Sequence, residues 1–370
     1  MLQFLNTLEV QPAVVVEGSG GPVAVVCPVH DQTSPTVPQF EEGSPLVKYH
    51  SEPEKTGVLQ RMRNACRWVG RILNVVSPPF PHSIITKASF TPPARGSIYF
   101  LIYGPEDARR FTLSAKEAVG QPHLTICLRE LLDLRYQHSI VFSQALRLRP
   151  AVIQTPSGDH LVLAHVPCSD GIQWGVDIAD FLKCDVVVYD YSGVGVSTGV
   201  PTEAAVYENV ETIFKYAKEV LGYAEKDVII FGFSMGSASA IHLASITPQL
   251  GGLVLFAPFL SVMSVLPLVS RFAMKDRYCR YDRFLNYLKI KEVRCRVLCG
   301  HGMADALIPA WHSEVLMASC PTGRPPILLP DVGHQPLYGD RTMWNHTRDF
   351  ILSELGGRQA WEDVWRSRAN

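Results

Sequence analysis

The sequence predicts an α/β protein in which a mostly parallel sheet is covered by helices on both faces. Two observations support this. Short apolar runs typical of strands buried on both faces recur from about residue 150 onward, and segments with helical spacing separate them. The predicted strands are residues 97–103, 160–165, 185–190, 228–231, 253–256, 297–299 and 327–329. The predicted helices are residues 203–221, 237–245 and 342–355.

Composition argues against several classes of protein. The chain has 370 residues, 47% of them hydrophobic, which is enough for one large core. Its formal net charge of −1 argues against a nucleic-acid partner, because nucleic-acid binding requires a basic excess. The nine cysteines are scattered and several lie in apolar runs, so we expect mostly reduced core thiols in a cytoplasmic protein. Cys295 and Cys299 are not followed by a second ligand pair, so we predict no metal site and no cofactor.

The chain divides into four predicted regions. Residues 1–57 show neither helical nor strand periodicity, so we expect an irregular N-terminal extension that is disordered or loosely attached. Residues 58–94 hold a basic amphipathic helix and a Pro-rich linker, residues 95–358 the α/β domain, and residues 359–370 a C-terminal tail. The N-terminus lacks the features of a signal peptide, and the chain has no apolar run of about 18 residues.

The basic helix predicted at residues 58–76 has arginines beside an apolar face. Arg63, Arg67 and Arg71 recur every four residues, and no acidic residue interrupts the segment. Such a helix can lie on an anionic membrane, with its apolar face among the acyl chains and its arginines at the lipid phosphates. The alternative is a helix that packs on the domain and leaves its arginines solvated.

A Gly-x-Ser-x-Gly motif identifies the candidate nucleophile. Residues 232–236 (Gly-Phe-Ser-Met-Gly) follow the strand at 228–231 and precede the helix at 237–245. In this context a tight turn lifts the serine above the edge of the sheet, and the flanking positions accept only small residues. The backbone N–H of Met235, at the start of the helix, is then a candidate oxyanion donor. We therefore predict an α/β-hydrolase fold with Ser234 as the nucleophile.

Two later loops supply the candidate base and acid. A serine hydroxyl needs a base, and the order along the chain in this fold is serine, acid, histidine. Asp305 lies in the loop after the strand at 297–299, and His334 follows the last strand. Because parallel strands end at one edge of the sheet, we expect His334 to act as the base and Asp305 to orient it.

Rival residues lie close to these in the sequence. His301 and His312 flank Asp305, and Asp331 precedes His334. We interpret His301 as a structural histidine at a strand end and Asp331 as a turn residue. His242, on the helix after the motif, is interpreted as a helix histidine whose hydrogen bonds are satisfied.

These residues resemble the alpha/beta hydrolase domain-containing protein 17 family, whose members act as protein depalmitoylases. The resemblance covers residues 150–355 and a short upstream motif that follows the family's membrane anchor. It implies a serine hydrolase that cleaves acyl thioesters or esters, above all S-palmitoyl groups on proteins; some related proteins are labelled serine peptidases. Besides the motif and the two loops, the matching residues are Tyr189-Asp190-Tyr191-Ser192-Gly193, Gly195, Ser197, Gly199, Tyr278, Asp282, Phe284, Asn286, Ile85, Lys87, Ala88, Phe90, Pro92 and Pro93.

The chain departs from the family at the oxyanion loop. The family carries His-Gly-Asn-Ala after its third strand, and one alignment places residues His165–Cys168 there. Pro167 has no N–H to donate, and losing one oxyanion donor lowers the rate by about 10²–10³-fold. A second alignment assigns Thr155, Gly158, Asp159 and Cys168 to the preceding hairpin, which leaves the oxyanion strand absent.

The membrane anchor also differs. The family has a cluster of palmitoylated cysteines near its N-terminus, whereas only Cys66 stands in that region here, on the basic helix. Cys66 is therefore a candidate lipidation site, with Arg63, Arg67 and Arg71 as a second membrane signal. We expect a cytoplasmic protein that binds peripherally to the cytosolic face of a membrane.

Three functional hypotheses follow. The leading one is hydrolysis of an acyl thioester or ester of an S-acylated protein. The second is a catalytically weak or inactive hydrolase fold that acts as a binding module at a membrane, and the altered oxyanion loop favours it. The third is a serine peptidase. The apolar segment 256–269 either lines an acyl groove or belongs to the core.

Overall fold

The computed structural model describes residues 23–26, 90, 94–97, 99–105, 108–128, 148–166, 178–182, 184–265 and 282–352. The strands are β1 (Val23–Val26), β2 (Tyr99–Tyr103), β3 (Arg110–Thr112), β4 (Thr125–Leu128), β5 (Arg149–Gln154), β6 (His160–Val166), β7 (Val186–Tyr189), β8 (Val228–Phe233), β9 (Gly252–Phe256), β10 (Val297–Gly302) and β11 (Ile327–Leu329). The α-helices are α1 (Ile178–Leu182), α2 (Glu203–Glu219), α3 (Gly236–Ile246), α4 (Val262–Val265), α5 (Asn286–Lys289), α6 (Trp311–Ser319), α7 (His334–Tyr338) and α8 (Arg341–Phe350).

The larger sheet has eight strands in the order β11-β10-β9-β8-β1-β7-β6-β5. The strands from β11 to β7 are parallel, whereas β6 runs antiparallel to both of its neighbours, β5 and β7. Every residue of β7, β8 and β9 is buried, as expected where helices cover both faces of a parallel sheet. The predicted α/β-hydrolase fold class is confirmed.

The predicted helices appear close to their predicted bounds. α2 begins after Thr202, whose side-chain oxygen accepts a hydrogen bond from the Ala205 N–H at 3.1 Å and caps the helix. α3 is the helix predicted after the serine motif. α8 corresponds to the helix predicted at 342–355 and begins behind the capping residue Asp340; residues after 352 lie outside the described part of the chain.

The smaller sheet is a feature that the sequence pattern did not predict. It has three antiparallel strands in the order β3-β2-β4, of which β2 was expected. β3 has three residues and β4 has four, and such short segments do not show a clear alternation of apolar and polar residues.

A buried tyrosine ties the smaller sheet to the larger one. The Tyr99 hydroxyl on β2 donates a hydrogen bond to the carboxylate of Asp190, directly after β7. Burial raises the pKa of Tyr99 well above its ordinary value, and the charge of Asp190 adds to this effect.

Tyr99→Phe is expected to destabilise the fold, because it removes a donor from a buried carboxylate. We expect the free energy of unfolding to fall by about 1–3 kcal/mol. Urea unfolding measures the change, and Tyr103→Phe, at the half-buried end of the same strand, is the matched control. A Tyr99→Phe midpoint equal to that of the control would contradict the expectation.

The centre of the larger sheet contains a strand from the N-terminal region. β1 lies between β7 and β8, with Val25 opposite Val187 on one side and opposite Ile230 on the other. The prediction that residues 1–57 are disordered or loosely attached is therefore wrong for residues 23–26. Four residues are too short to show a period, and their place depends on backbone groups of β7 and β8 that require partners.

Several predictions fall outside the described residues. They concern the basic helix at 58–76 with its three arginines and Cys66, most of the Pro-rich linker, the tail at 359–370, and residues 167–177. Among the helices that the structure does describe, none combines the length and the apolarity needed to span a bilayer.

Candidate active site

Ser234 lies on a strained turn between β8 and α3. Its φ angle is 52°, in the left-handed region that serine rarely adopts. Its N–H donates to the Phe256 carbonyl at the end of β9 at 2.9 Å, and its carbonyl accepts from the N–H and the hydroxyl of Ser237 at 3.0 and 2.6 Å. These hydrogen bonds hold the strained residue in place, half-buried at the edge where the parallel strands end.

Gly232 gives this turn the space that it needs. A Cβ atom at this position would lie 2.4 Å from the Gly236 carbonyl oxygen and 2.7 Å from the Ser237 Cα. Both are backbone atoms, so side-chain rotation cannot relieve the clash.

Gly232→Ala is therefore expected to displace Ser234. A misplacement of about 1 Å costs roughly 10²-fold in rate, so we expect a loss of this size in the rate at which a fluorophosphonate labels Ser234. Gly339→Ala is the matched control, because a Cβ there would meet no atom closer than 3.8 Å. Equal labelling rates for the two variants would show that the turn tolerates a larger residue.

The side chains of His334 and Asp305 reach Ser234. The Ser234 hydroxyl lies 2.9 Å from His334 Nε2, and His334 Nδ1 lies 2.6 Å from Asp305 Oδ2. Ser234 follows β8, Asp305 lies in the loop after β10, and His334 begins α7 after β11. The common edge at which these parallel strands end thus brings together the three residues that the sequence predicted to meet.

Asp305 is held as a carboxylate. Burial by itself raises the pKa of this carboxyl group, but hydrogen bonds from His301, His334 and the Ile308 N–H outweigh that effect and hold the pKa well below its ordinary value. Oδ1 accepts from the N–H groups of Leu307 and Ile308 at 2.9 and 2.8 Å. Because an ionised Asp305 only accepts, His334 carries its proton on Nδ1 and turns Nε2 toward the Ser234 hydroxyl as an acceptor.

His301 and Asp331 have the structural positions predicted for them. His301 is fully buried, with Nδ1 2.6 Å from the Ser313 hydroxyl and Nε2 2.7 Å from the Ile308 carbonyl oxygen. Its Nε2 also lies 3.3 Å from Asp305 Oδ2, so it supports the loop that holds the acid. Asp331 has a φ angle of 58° in the turn after β11.

His242 and His312 also have partners of their own. His242 Nε2 lies 2.7 Å from a Glu211 carboxylate oxygen, and His242 Nδ1 lies 2.7 Å from Lys289 Nζ. His312 Nδ1 accepts from the Leu260 N–H at 3.2 Å, and burial lowers the pKa of His312 to about 4. His312 is therefore neutral at physiological pH and supports the chain after β9.

The first alignment of the oxyanion loop is wrong. β6 runs antiparallel to β7, with His165 opposite Val187, so the chain leaves β6 at the edge where β7 begins. Ser234 lies at the opposite edge, where the parallel strands end. His165 is buried, with Nε2 2.7 Å from Asp185 Oδ2, so the segment His165–Cys168 starts from a core position away from the nucleophile.

The second alignment agrees with the structure for Thr155, Gly158 and Asp159. β5 and β6 form a hairpin whose turn is closed by hydrogen bonds from the Thr155 N–H to the Asp159 carbonyl and from the Gly158 N–H to the Thr155 carbonyl. The strand position beside β8 belongs to β1. Pro167 and Cys168 lie outside the described residues, so Pro167 no longer bears on the donor. The family's oxyanion strand, however, has no counterpart between β6 and β7 among the described residues.

Met235 remains the candidate oxyanion donor. It directly follows Ser234 and stands at the N-terminus of α3. Backbone N–H groups at this end of a helix lack intrahelical acceptors, and the helix dipole favours negative charge there. A negative oxygen that develops next to Ser234 is stabilised at this position.

Ser234 is the candidate nucleophile at this edge. Burial raises the pKa of Cys295 and Cys299 to about 12, so these thiols are poor nucleophiles at neutral pH. Within the described ranges, no group of three or more histidine, cysteine, aspartate or glutamate side chains is arranged to hold a metal ion.

Comparisons with known proteins agree with this architecture. The family model described as "Serine aminopeptidase, S33" matches residues 180–289. Alpha/beta hydrolase domain-containing protein aho-3 of Caenorhabditis elegans is 28% identical over 75% of this chain and 80% of its own length. Alpha/beta hydrolase domain-containing protein 17B of Homo sapiens is 26% identical over 75% of this chain and 94% of its own length.

Among solved structures, acetyl xylan esterase 1 from Thermoanaerobacterium sp. JW/SL YS485 aligns with 55% of this chain and 82% of that chain, with a TM-score of 0.43 and 16% identity. The sequence similarity to aho-3 and 17B extends over three quarters of the chain. The chain has the α/β-hydrolase fold and is similar in sequence to members of the alpha/beta hydrolase domain-containing protein 17 family.

Proposed function

We propose that the chain is a serine hydrolase that cleaves acyl thioesters or esters through an acyl-serine intermediate. The observation that carries the proposal is the hydrogen-bonded series from Ser234 through His334 to Asp305. Acyl transfer requires a nucleophile, a base that can take its proton, and a group that orients the base and stabilises its charged form.

The reaction follows from this geometry. Ser234 Oγ attacks the acyl carbonyl carbon while its proton passes to His334 Nε2, and Asp305 stabilises the imidazolium. The tetrahedral oxyanion accepts a hydrogen bond from the Met235 N–H. Collapse of this intermediate expels the thiolate or alkoxide, which takes the proton from His334. A water then gives a proton to His334 Nε2 as it attacks the acyl-serine carbonyl carbon. The bond to Ser234 Oγ breaks, Ser234 takes that proton from His334, and the carboxylic acid is released.

S-palmitoyl groups on proteins are the proposed substrate class. The resemblance to the alpha/beta hydrolase domain-containing protein 17 family supports this, and so does the surface beside Asp305. Met303 and Leu307, on the loop that carries Asp305, are 59% and 56% exposed. Exposed apolar side chains on such a loop favour contact with an acyl chain. Residues 256–260 are buried, so this part of the segment 256–269 belongs to the core.

Three matched peptides test the proposal. They carry S-palmitoyl cysteine, O-palmitoyl serine or N-palmitoyl lysine at the same position. We expect the full-length protein to release palmitate from the thioester and the ester but not from the amide, and mass spectrometry to find Ser234 palmitoylated during turnover. A folded protein that releases no palmitate and reacts with no fluorophosphonate would instead be a binding module.

A serine peptidase is a further candidate, because the matching family model is described as a serine aminopeptidase. Peptidyl p-nitroanilides with free N-termini distinguish it from a thioesterase. Hydrolysis of these amides faster than of the palmitoyl thioester would favour the peptidase. The reverse order of rates would favour the thioesterase.

We further propose that residues 58–76 bind the cytosolic face of an anionic membrane, with Cys66 as a lipidation site. Each basic residue near such a surface contributes about 1 kcal/mol. Replacement of Arg63, Arg67 and Arg71 by serine is thus expected to reduce cosedimentation with phosphatidylserine vesicles by roughly 10²-fold. Phosphatidylcholine vesicles are the control. Equal sedimentation of the triple variant and the unmodified chain with anionic vesicles would contradict the proposal.

A further inference from the structure

The slot between β7 and β8 is filled by a strand that is remote in the chain. β7 pairs with β6 on its other side and β8 pairs with β9, so within the described residues β1 is the strand that joins the two halves of the larger sheet. After Val26 the chain continues for 72 residues before β2 begins at Tyr99. The cost of closing a loop rises only slowly with its length, so a distant segment can take this place.

An empty slot would disrupt the strand that carries the nucleophile. Neighbouring strands lie about 4.8 Å apart, so removal of β1 would leave a gap of about 10 Å between β7 and β8. Val187 and Ile230, the partners of Val25, are fully buried. Their backbone groups that face the slot would then lose β1 as their hydrogen-bond partner in the middle of the sheet.

The register places β1 beside the turn at Ser234. Val26, the last residue of β1, lies opposite Phe231, three residues before Ser234. β9 holds the other side of the turn, because the Phe256 carbonyl accepts the Ser234 N–H. β8 therefore reaches the active site between two parallel strands, one of which is supplied by the N-terminal region.

We propose that β1 is a positioning strand of the active site, and that residues 23–26 must occupy the slot between β7 and β8 for Ser234 to react. One measurement that tests this proposal, the labelling of Ser234 by a fluorophosphonate, rests on the proposed serine hydrolase function. The slot is a site for a short extended segment that runs parallel to β7 and β8 and is bound through main-chain hydrogen bonds. In this proposal the N-terminal region completes the central sheet and is required for the reaction at Ser234.

Val25→Pro in the full-length protein tests the proposal, because proline removes an N–H and is not accommodated in a central strand. Val14→Pro, outside β1, is the matched control. We expect amide hydrogen exchange in residues 186–188 and 229–231 to become at least about tenfold faster and labelling of Ser234 at least about tenfold slower, with exchange in β10 unchanged. Unchanged exchange and labelling in Val25→Pro would overturn the proposal.

A second variant, which can be cleaved after it has folded, tests the proposal even if Val25→Pro does not fold. A protease site inserted after Pro38 lets the folded protein be cut once it has assembled. We expect the fragment that contains β1 to co-elute with the remainder in size-exclusion chromatography, and Ser234 to be labelled at the uncut rate. Separation of the fragment without loss of labelling would overturn the proposal. A dimer that exchanges β1 between copies would overturn the assignment of the slot to the same chain.

Hydrogen exchange separates this proposal from the hydrolase proposal. It is measured with Ser234→Ala in the background, where no reaction at Ser234 contributes. If the unmodified protein reacts with no fluorophosphonate, the serine hydrolase proposal fails, and exchange in β7 and β8 still shows whether β1 occupies the slot. Faster exchange in β7, β8 and β10 alike would indicate a general loss of the fold and not a loss of position at Ser234.

Discussion

Ser234→Ala is expected to abolish labelling by a fluorophosphonate and to lower kcat for a p-nitrophenyl ester by about 10⁶-fold. The Ser234 hydroxyl is the group 2.9 Å from His334 Nε2, so alanine leaves the base without a proton to accept. The hydrogen bonds that hold the turn use the backbone N–H and carbonyl of residue 234, and alanine retains both. The variant should therefore keep the fold and lose only the chemistry.

Ser245→Ala is the matched control for this experiment. Ser245 lies on α3, the helix that follows Ser234, and its hydroxyl donates to the His242 carbonyl at 2.7 Å. The variant therefore removes a hydroxyl without removing a nucleophile. We expect it to be labelled like the unmodified protein. Mass spectrometry identifies the labelled residue, and a label that persists in Ser234→Ala would show that another residue is the nucleophile.

Asp305→Asn is expected to lower kcat by about 10⁴-fold while the fold persists. The asparagine oxygen can still accept from the N–H groups of Leu307 and Ile308, as Asp305 Oδ1 does. The amide nitrogen then takes the place of Oδ2, 2.6 Å from His334 Nδ1. Two donors cannot face each other, so His334 must carry its proton on Nε2, where it no longer accepts from Ser234.

Asp331→Asn is the control for the choice of acid. Asp331 precedes His334 by three residues, but its φ angle of 58° places it in a turn, in a conformation that asparagine also adopts readily. We expect this variant to hydrolyse a p-nitrophenyl ester at nearly the unmodified rate. A large loss in Asp331→Asn together with full activity in Asp305→Asn would exchange the roles of the two acids.

The sequence was sufficient to predict the fold class and the residues that meet at the candidate site. Ser234 is marked by a local pattern of strand, tight glycine turn and helix. Asp305 and His334 follow from a general property of parallel sheets, in which all strands end at one edge. These inferences need only the order of the strands and helices and the identity of the residues that follow each strand. Both can be read from local sequence patterns.

Strand direction and the place of β1 were decided only by the tertiary structure. An apolar run has the same pattern in either direction, so the sequence placed His165 on the wrong side of the sheet, whereas pairing with β5 and β7 makes β6 antiparallel. Residues 23–26 are too few to show the periodicity that would predict a strand. Their position is explained by β7 and β8, whose facing backbone N–H and C=O groups need a strand between them. That need depends on the tertiary arrangement of β7 and β8 and leaves no pattern in residues 23–26.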